Sequence, residues 1–160
     1  MDKKRIVLFL QNYFSYSVSY DDDDDCMAYL FSYIERNFNL NPQDTFQYSI
    51  DLFYRFMYAG LTRYVYWDLE SEEDLKNDIS KMVEDFNKFN NLDEWHNYFM
   101  PTKLIADIIC EYDLIDGYYD ENVISLEFER EISELLNKKG IGLDIYPLVD
   151  IGRGGIIKLK

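Results

Sequence analysis

Apolar residues recur at three- and four-residue spacing through most of this chain, the interval that gathers side chains on one face of an α-helix. Met27, Leu30, Phe31, Ile34 and Phe38 make one such stripe, which stops at the sequence NLNP. Asn41 then serves as an N-cap and Pro42 as the first residue of a second helix, with Phe46, Ile50, Phe53 and Met57 on its face and Gly60 as its stop. The clearest helix follows Ser71. Ser71 caps it, Glu72, Glu73 and Asp74 complement the dipole of its first turn, and Leu75, Ile79, Met82, Val83, Phe86 and Phe89 form one stripe. Another starts near Pro101 and turns Leu104, Ile105, Ile108, Ile109 and Tyr112 inward. Ser125 caps a further one that carries Phe128, Ile132, Leu135 and Leu136 to an end at Gly140. Residues 5–18 read as a helix too, although their apolar run also fits a strand.

After Gly140 the period changes. Leu143, Ile145, Pro147, Val149 and Ile151 alternate with Asp144, Tyr146, Leu148 and Asp150, which is the period of a strand. The GRGG stretch reads as a turn from which IIKLK returns, and Pro147 places its strand at an edge. Residues 63–69, RYVYWDL, fit either a short strand or the continuation of a helix. No internal repeat or long linker interrupts the pattern. The expectation is a single domain over residues 1–160, mainly α (α+β), with about five or six helices and a small C-terminal antiparallel β-hairpin.

A hydrophobic content of 48% argues against global disorder, but the net charge of −15 is unusual. It is also unevenly placed. Residues 21–135 carry 28 acidic and eight basic side chains, a net of −20, while residues 1–20 stand at +2 and residues 136–160 at +3. A coding bias toward A and T would enrich Tyr, Asn and Ile, but it would enrich Lys as well, and Lys and Arg together total only 16. The acidity therefore has another cause. Nucleic acid and anionic membrane are excluded as partners on this reading, because the only basic clusters are short: Lys3, Lys4 and Arg5; Lys138 and Lys139; Arg153, Lys158 and Lys160. A basic protein is the partner such a field attracts.

Cys26 and Cys110 both fall within apolar helical patterns and read as buried free thiols in a reducing compartment. The run Ile6–Leu10 is too short for a signal peptide, and no stretch approaches the roughly 20 apolar residues of a membrane span. Cytoplasmic is the expected location.

Three acidic stretches are candidate partner surfaces. In the first, Asp22, Asp23, Asp24 and Asp25 precede an apolar helix; Asp22 or Asp23 can cap the helix beginning near Cys26, and the surplus charge is available to a partner. Adjacent carboxylates point in different directions and suit calcium poorly, because calcium loops space their ligands at alternate positions. The second is EYDLIDGYYDENV, residues 111–123. Setting Gly117 on the invariant glycine of a calcium loop puts Tyr112, Leu114 and Val123 where oxygen ligands belong and leaves only Asp116 in place. The stretch instead reads as a turn after a helix. Asp113, Asp116, Tyr118, Tyr119, Asp120 and Glu121 combine rigid aromatic area with carboxylates that accept from arginine; a solvated loop with tyrosines tucked onto the core is the alternative. The third, residues 64–74, sets Tyr64, Tyr66 and Trp67 among acids. Ser71 and the acids after it have a reason as a helix start, Asp68 and Glu70 have none, and Trp67 reads as core.

Catalysis has little basis. His96 is the only histidine, no cysteine pair has zinc-finger spacing, and no nucleophile elbow or phosphate loop is present. No enzyme activity, metal or cofactor is expected. In size, acidity and aromatic content the chain resembles the small acidic immunity proteins of bacterial toxin–immunity systems, including those of contact-dependent growth inhibition. That resemblance implies neutralisation of a usually basic nuclease toxin by masking its active site. Two other readings stay open: a DNA-mimic inhibitor of a nucleic-acid-binding protein, and a small ligand-binding regulator or enzyme with a pocket near His96, lined with Trp67 or Tyr66.

Overall fold

The fold is described from a computed structural model, which covers residues 2–20, 25–89, 98–153 and 155–156. It is mainly α with a small β part. Six helices lie among the described residues: α1 (Lys3–Ser19), α2 (Met27–Phe38), α3 (Pro42–Ala59), α4 (Glu72–Phe89), α5 (Lys103–Glu111) and α6 (Leu126–Lys138). Their starts and stops follow local chemistry. Asn41 accepts from the Asp44 amide and Pro42 opens α3, while Ser125 accepts from the Phe128 amide to open α6. Ser71 and Asp74 bond each other reciprocally at the start of α4. Asn39 and Gly60 close α2 and α3 in left-handed conformations (φ 50° and 77°) that release the last carbonyls to capping amides.

The amphipathic faces merge into one core. Central to it is α3, which packs against α2, α4 and α6, while α1 lies along α5. Phe46 stacks on Phe86 at 3.9 Å between ring centroids, and Phe14 meets Phe56 edge-on at 4.9 Å. Two short antiparallel sheets accompany the helices. β1 (Asp25–Cys26), β3 (Tyr98–Pro101) and β2 (Thr62–Tyr64) form one sheet in the order β1-β3-β2, with Phe99 opposite both Asp25 and Tyr64. β4 (Val149–Asp150) and β5 (Gly155–Ile156) form the other. Residues 62–64 are thus strand rather than helix.

The structure departs from the sequence pattern in several places. Residues 143–148 are not a strand, despite their alternation. Their backbone is held by side chains of α3 instead of a ladder. Arg55 donates to the carbonyls of Ile141, Gly142 and Ile145, and Asp51 accepts from the amides of Leu148 and Val149. Arg55 and Asp51 also bond each other at 2.9 Å, and both are buried within α3. Burial pushes the Asp51 carboxyl up, against the pull of the Arg55 guanidinium and the two amides. The helix near Pro101 starts two residues later, at Lys103, because Pro101 belongs to β3 and the Thr102 hydroxyl donates to the carbonyls of Gly60 and Leu61. Ile105, Ile108 and Ile109 take the core face of α5, which leaves Leu104 and Cys110 exposed on its flanks. Cys110 is therefore a surface thiol, whereas Cys26 is buried.

Candidate binding surface

The 111–123 stretch becomes a loop whose shape is fixed from beneath. Helix α5 ends at Glu111, and Asp113 turns the chain with a positive φ of 53°. Leu114 then drops into the core, its amide bonded to the Ile109 carbonyl. A second reversal at Gly117 (φ 78°) lifts the next residues outward, which the missing Cβ permits. Polar residues of α1 hold the loop down. The Ser19 hydroxyl accepts from the Asp116 amide, and Asn12 donates to the Glu121 carbonyl. Gln11, buried, donates to the Val123 carbonyl and accepts from the Ser125 amide. Asp120 accepts from the Asn122 amide, closing the last turn.

This loop brings six of the expected residues together: Asp113, Asp116, Tyr118, Tyr119, Asp120 and Glu121. Tyr118 stands out of the surface at 85% exposure. Tyr119 does not; its hydroxyl donates to Asn12, and its ring packs against the core. Burial, helped by the nearby Glu121 and Asp116 carboxylates, pushes its phenol up. None of Asp113, Asp116, Asp120 and Glu121 is paired with a basic side chain among the described residues. Further along the same loop, Val123 is 58% exposed and Leu126, at the start of α6, 72%.

Between the loop and helices α1 and α2 runs a cleft of about 220 Å³. Tyr13 and Tyr16 of α1 and Tyr33 of α2 form its aromatic side, and Asp116, Tyr119 and Glu121 the other. The Tyr33 ring lies 5.9 Å from both Tyr13 and Tyr16, meeting the first edge-on and the second at a tilt. A smaller cavity of about 60 Å³ beside the Asp51–Arg55 pair has room for little more than water.

The other expected residues lie apart. Asp68 and Glu70 are exposed on the connection from β2 to α4, and no hydrogen bond or ion pair joins them to the loop among the described residues. Beside them Trp67 is 41% exposed, not core; it stacks at 4.3 Å on the buried ring of Tyr64, which holds the core position instead. Asp22, Asp23 and Asp24 lie outside the described residues. The N-cap position of α2 is Cys26 in extended conformation, which makes no side-chain cap bond. Asp25 is drawn into β1, opposite Phe99. His96, with the pocket expected near it, also lies outside the described residues.

What the sequence pattern missed are the anchors. Gln11, Asn12 and Ser19 are polar positions in an apolar helix, and a polar residue between core positions is the signal that marks a buried hydrogen-bond partner. Among the described residues no three His, Cys, Asp or Glu side chains are grouped to hold a metal ion, and no helix is long and apolar enough to cross a membrane. No protein-family model, curated protein or solved structure matches the chain significantly.

Proposed function

We propose that this chain is an acidic protein-binding inhibitor, an immunity protein that neutralises a basic toxin domain by covering its active site. The observation that carries the reading is the 113–125 loop and the start of α6: Tyr118, Val123 and Leu126 are exposed near four carboxylates that meet no base among the described residues, on a backbone already fixed by Gln11, Asn12 and Ser19. Tyrosine is among the residues enriched at interface hot spots, and the neighbouring carboxylates can accept from a partner's arginines. A loop that is ordered before binding loses less entropy when the partner arrives. These carboxylates, without a base among the described residues, and the −15 net charge support steering of a cationic surface, which acts mainly on the association rate.

The test uses the protein as bait in a lysate of its source organism, at low and moderate salt. Beside it runs a variant carrying Asp113→Asn, Asp116→Asn, Asp120→Asn and Glu121→Gln. One basic protein retained by the parent, released by the variant, and blocked in its own activity by the parent supports an inhibitor. Capture of many nucleic-acid-binding proteins would favour DNA mimicry instead. Equal behaviour of the two baits would remove the loop from any interface.

A further inference from the structure

The geometry points to a single arginine side chain of the protein partner as the occupant of the cleft between α1, α2 and the 116–121 loop, its guanidinium against the tyrosine faces and bonded to Asp116 and Glu121. This deepens the inhibitor reading and rests on it for the identity of the partner, though not for the existence of the site.

Three observations converge. The first is size. About 220 Å³ admits one extended side chain, below the roughly 300–1,000 Å³ of sites built for larger ligands. The second is chemistry. One side offers the rings of Tyr16 and Tyr33, backed by the buried ring of Tyr13, and the other two carboxylates that meet no base among the described residues. Aromatic faces attract a cation, and carboxylates accept the paired N–H groups of a planar guanidinium. An ammonium group is smaller and more strongly hydrated; it matches the carboxylates but gains less from the rings. The third is a precedent within the chain. Asn37 lines one end of the same cleft, and its carbonyl accepts from Arg5, whose guanidinium sits 5.0 Å over the Phe38 ring. The fold already seats one arginine on an aromatic ring at the border of this cleft. The end formed by Asp116 and Glu121 has the charge for a second.

The walls are held for the purpose. Asn12 accepts from the Tyr119 hydroxyl and donates to the Glu121 carbonyl, which fixes the acidic side against α1. Tyr16 also packs on Tyr20, at 4.7 Å between centroids, which limits its ring's freedom.

The probes are two capped tripeptides, Gly-Arg-Gly and Gly-Lys-Gly, titrated into the full chain and followed through backbone amide shifts. The arginine peptide is expected to move the amides of Tyr16, Asp116 and Glu121 and to bind on the order of fivefold tighter than the lysine peptide. The Asp116→Asn, Glu121→Gln double variant should abolish that shift while the amides of α3 and α4 stay in place. Tyr16→Ala, at an exposed ring, should weaken the arginine peptide more than the lysine one. Equal affinity for the two peptides, or shifts confined to other surfaces, overturns the inference. So does a captured partner whose arginines can each be changed to lysine without loss, an outcome that leaves the inhibitor reading intact. Arginine binding in a protein that captures no partner supports the cleft and sinks the inhibitor instead.

Discussion

Asp51 and Arg55 show how far one residue pair reaches in this protein. They lie four apart on α3, where such a pair usually sits in solvent and contributes a few tenths of a kcal/mol. Here both are buried and hold five backbone groups between residues 141 and 149. Asp51→Ala should cost about 3–5 kcal/mol in urea unfolding, because it strands a guanidinium in the core. Replacing both residues by apolar ones is often harmless for a buried pair. In this chain it should remain destabilising, since the carbonyls and amides they serve lose their partners. Gln11 acts in the same way on a smaller scale. Gln11→Leu should cost about 1–3 kcal/mol and speed hydrogen exchange at Val123 and Ser125, measured against unchanged exchange in α3.

Helices here are specified by their ends as much as by their faces. Ser125→Ala removes the oxygen that accepts the Phe128 amide, and a loss of about 1 kcal/mol in urea unfolding is expected. The same helix is tied to the end of α5 by a bond from the Tyr112 hydroxyl to Glu131. That bond, then burial, pushes the Tyr112 phenol up to about 12 from 10.0. On α3, burial takes Tyr54 to about 12 as well. A raised phenol pKa means that the folded chain favours the neutral form. The stability this contributes is complete below pH 10 and drains away as the pH rises through about 12. Thermal unfolding should therefore worsen across that window, and Glu131→Gln should let Tyr112 ionise closer to 10, visible in the tyrosinate absorbance.

For the molecule as a whole the dominant quantity is charge. If the acidic surface steers a basic partner, the association rate should fall several-fold between low and physiological salt, with little change in dissociation. Surface plasmon resonance on the captured partner reads both rates. A salt-independent association rate would reduce the acidity to solubility.

Helix number, most helix boundaries and most core positions were legible in the chain, because periodicity and capping are local properties. Ser71, Asn41, Gly60 and Ser125 each act where they stand. The gathering of Asp113 through Glu121 on one loop was legible too, since they are neighbours in sequence. Only the tertiary structure could bring Tyr13, Tyr16 and Tyr33 to face Asp116 and Glu121, and only it could reveal Gln11 and Asn12 as the loop's anchors, across more than 100 residues of chain. The alternation of residues 143–148 misled for the same reason, while Val149–Asp150 does pair as a strand. A strand pattern states which side chains can be buried, but not whether the backbone bonds a neighbouring strand or the side chains of a helix, and Asp51 and Arg55 decided that.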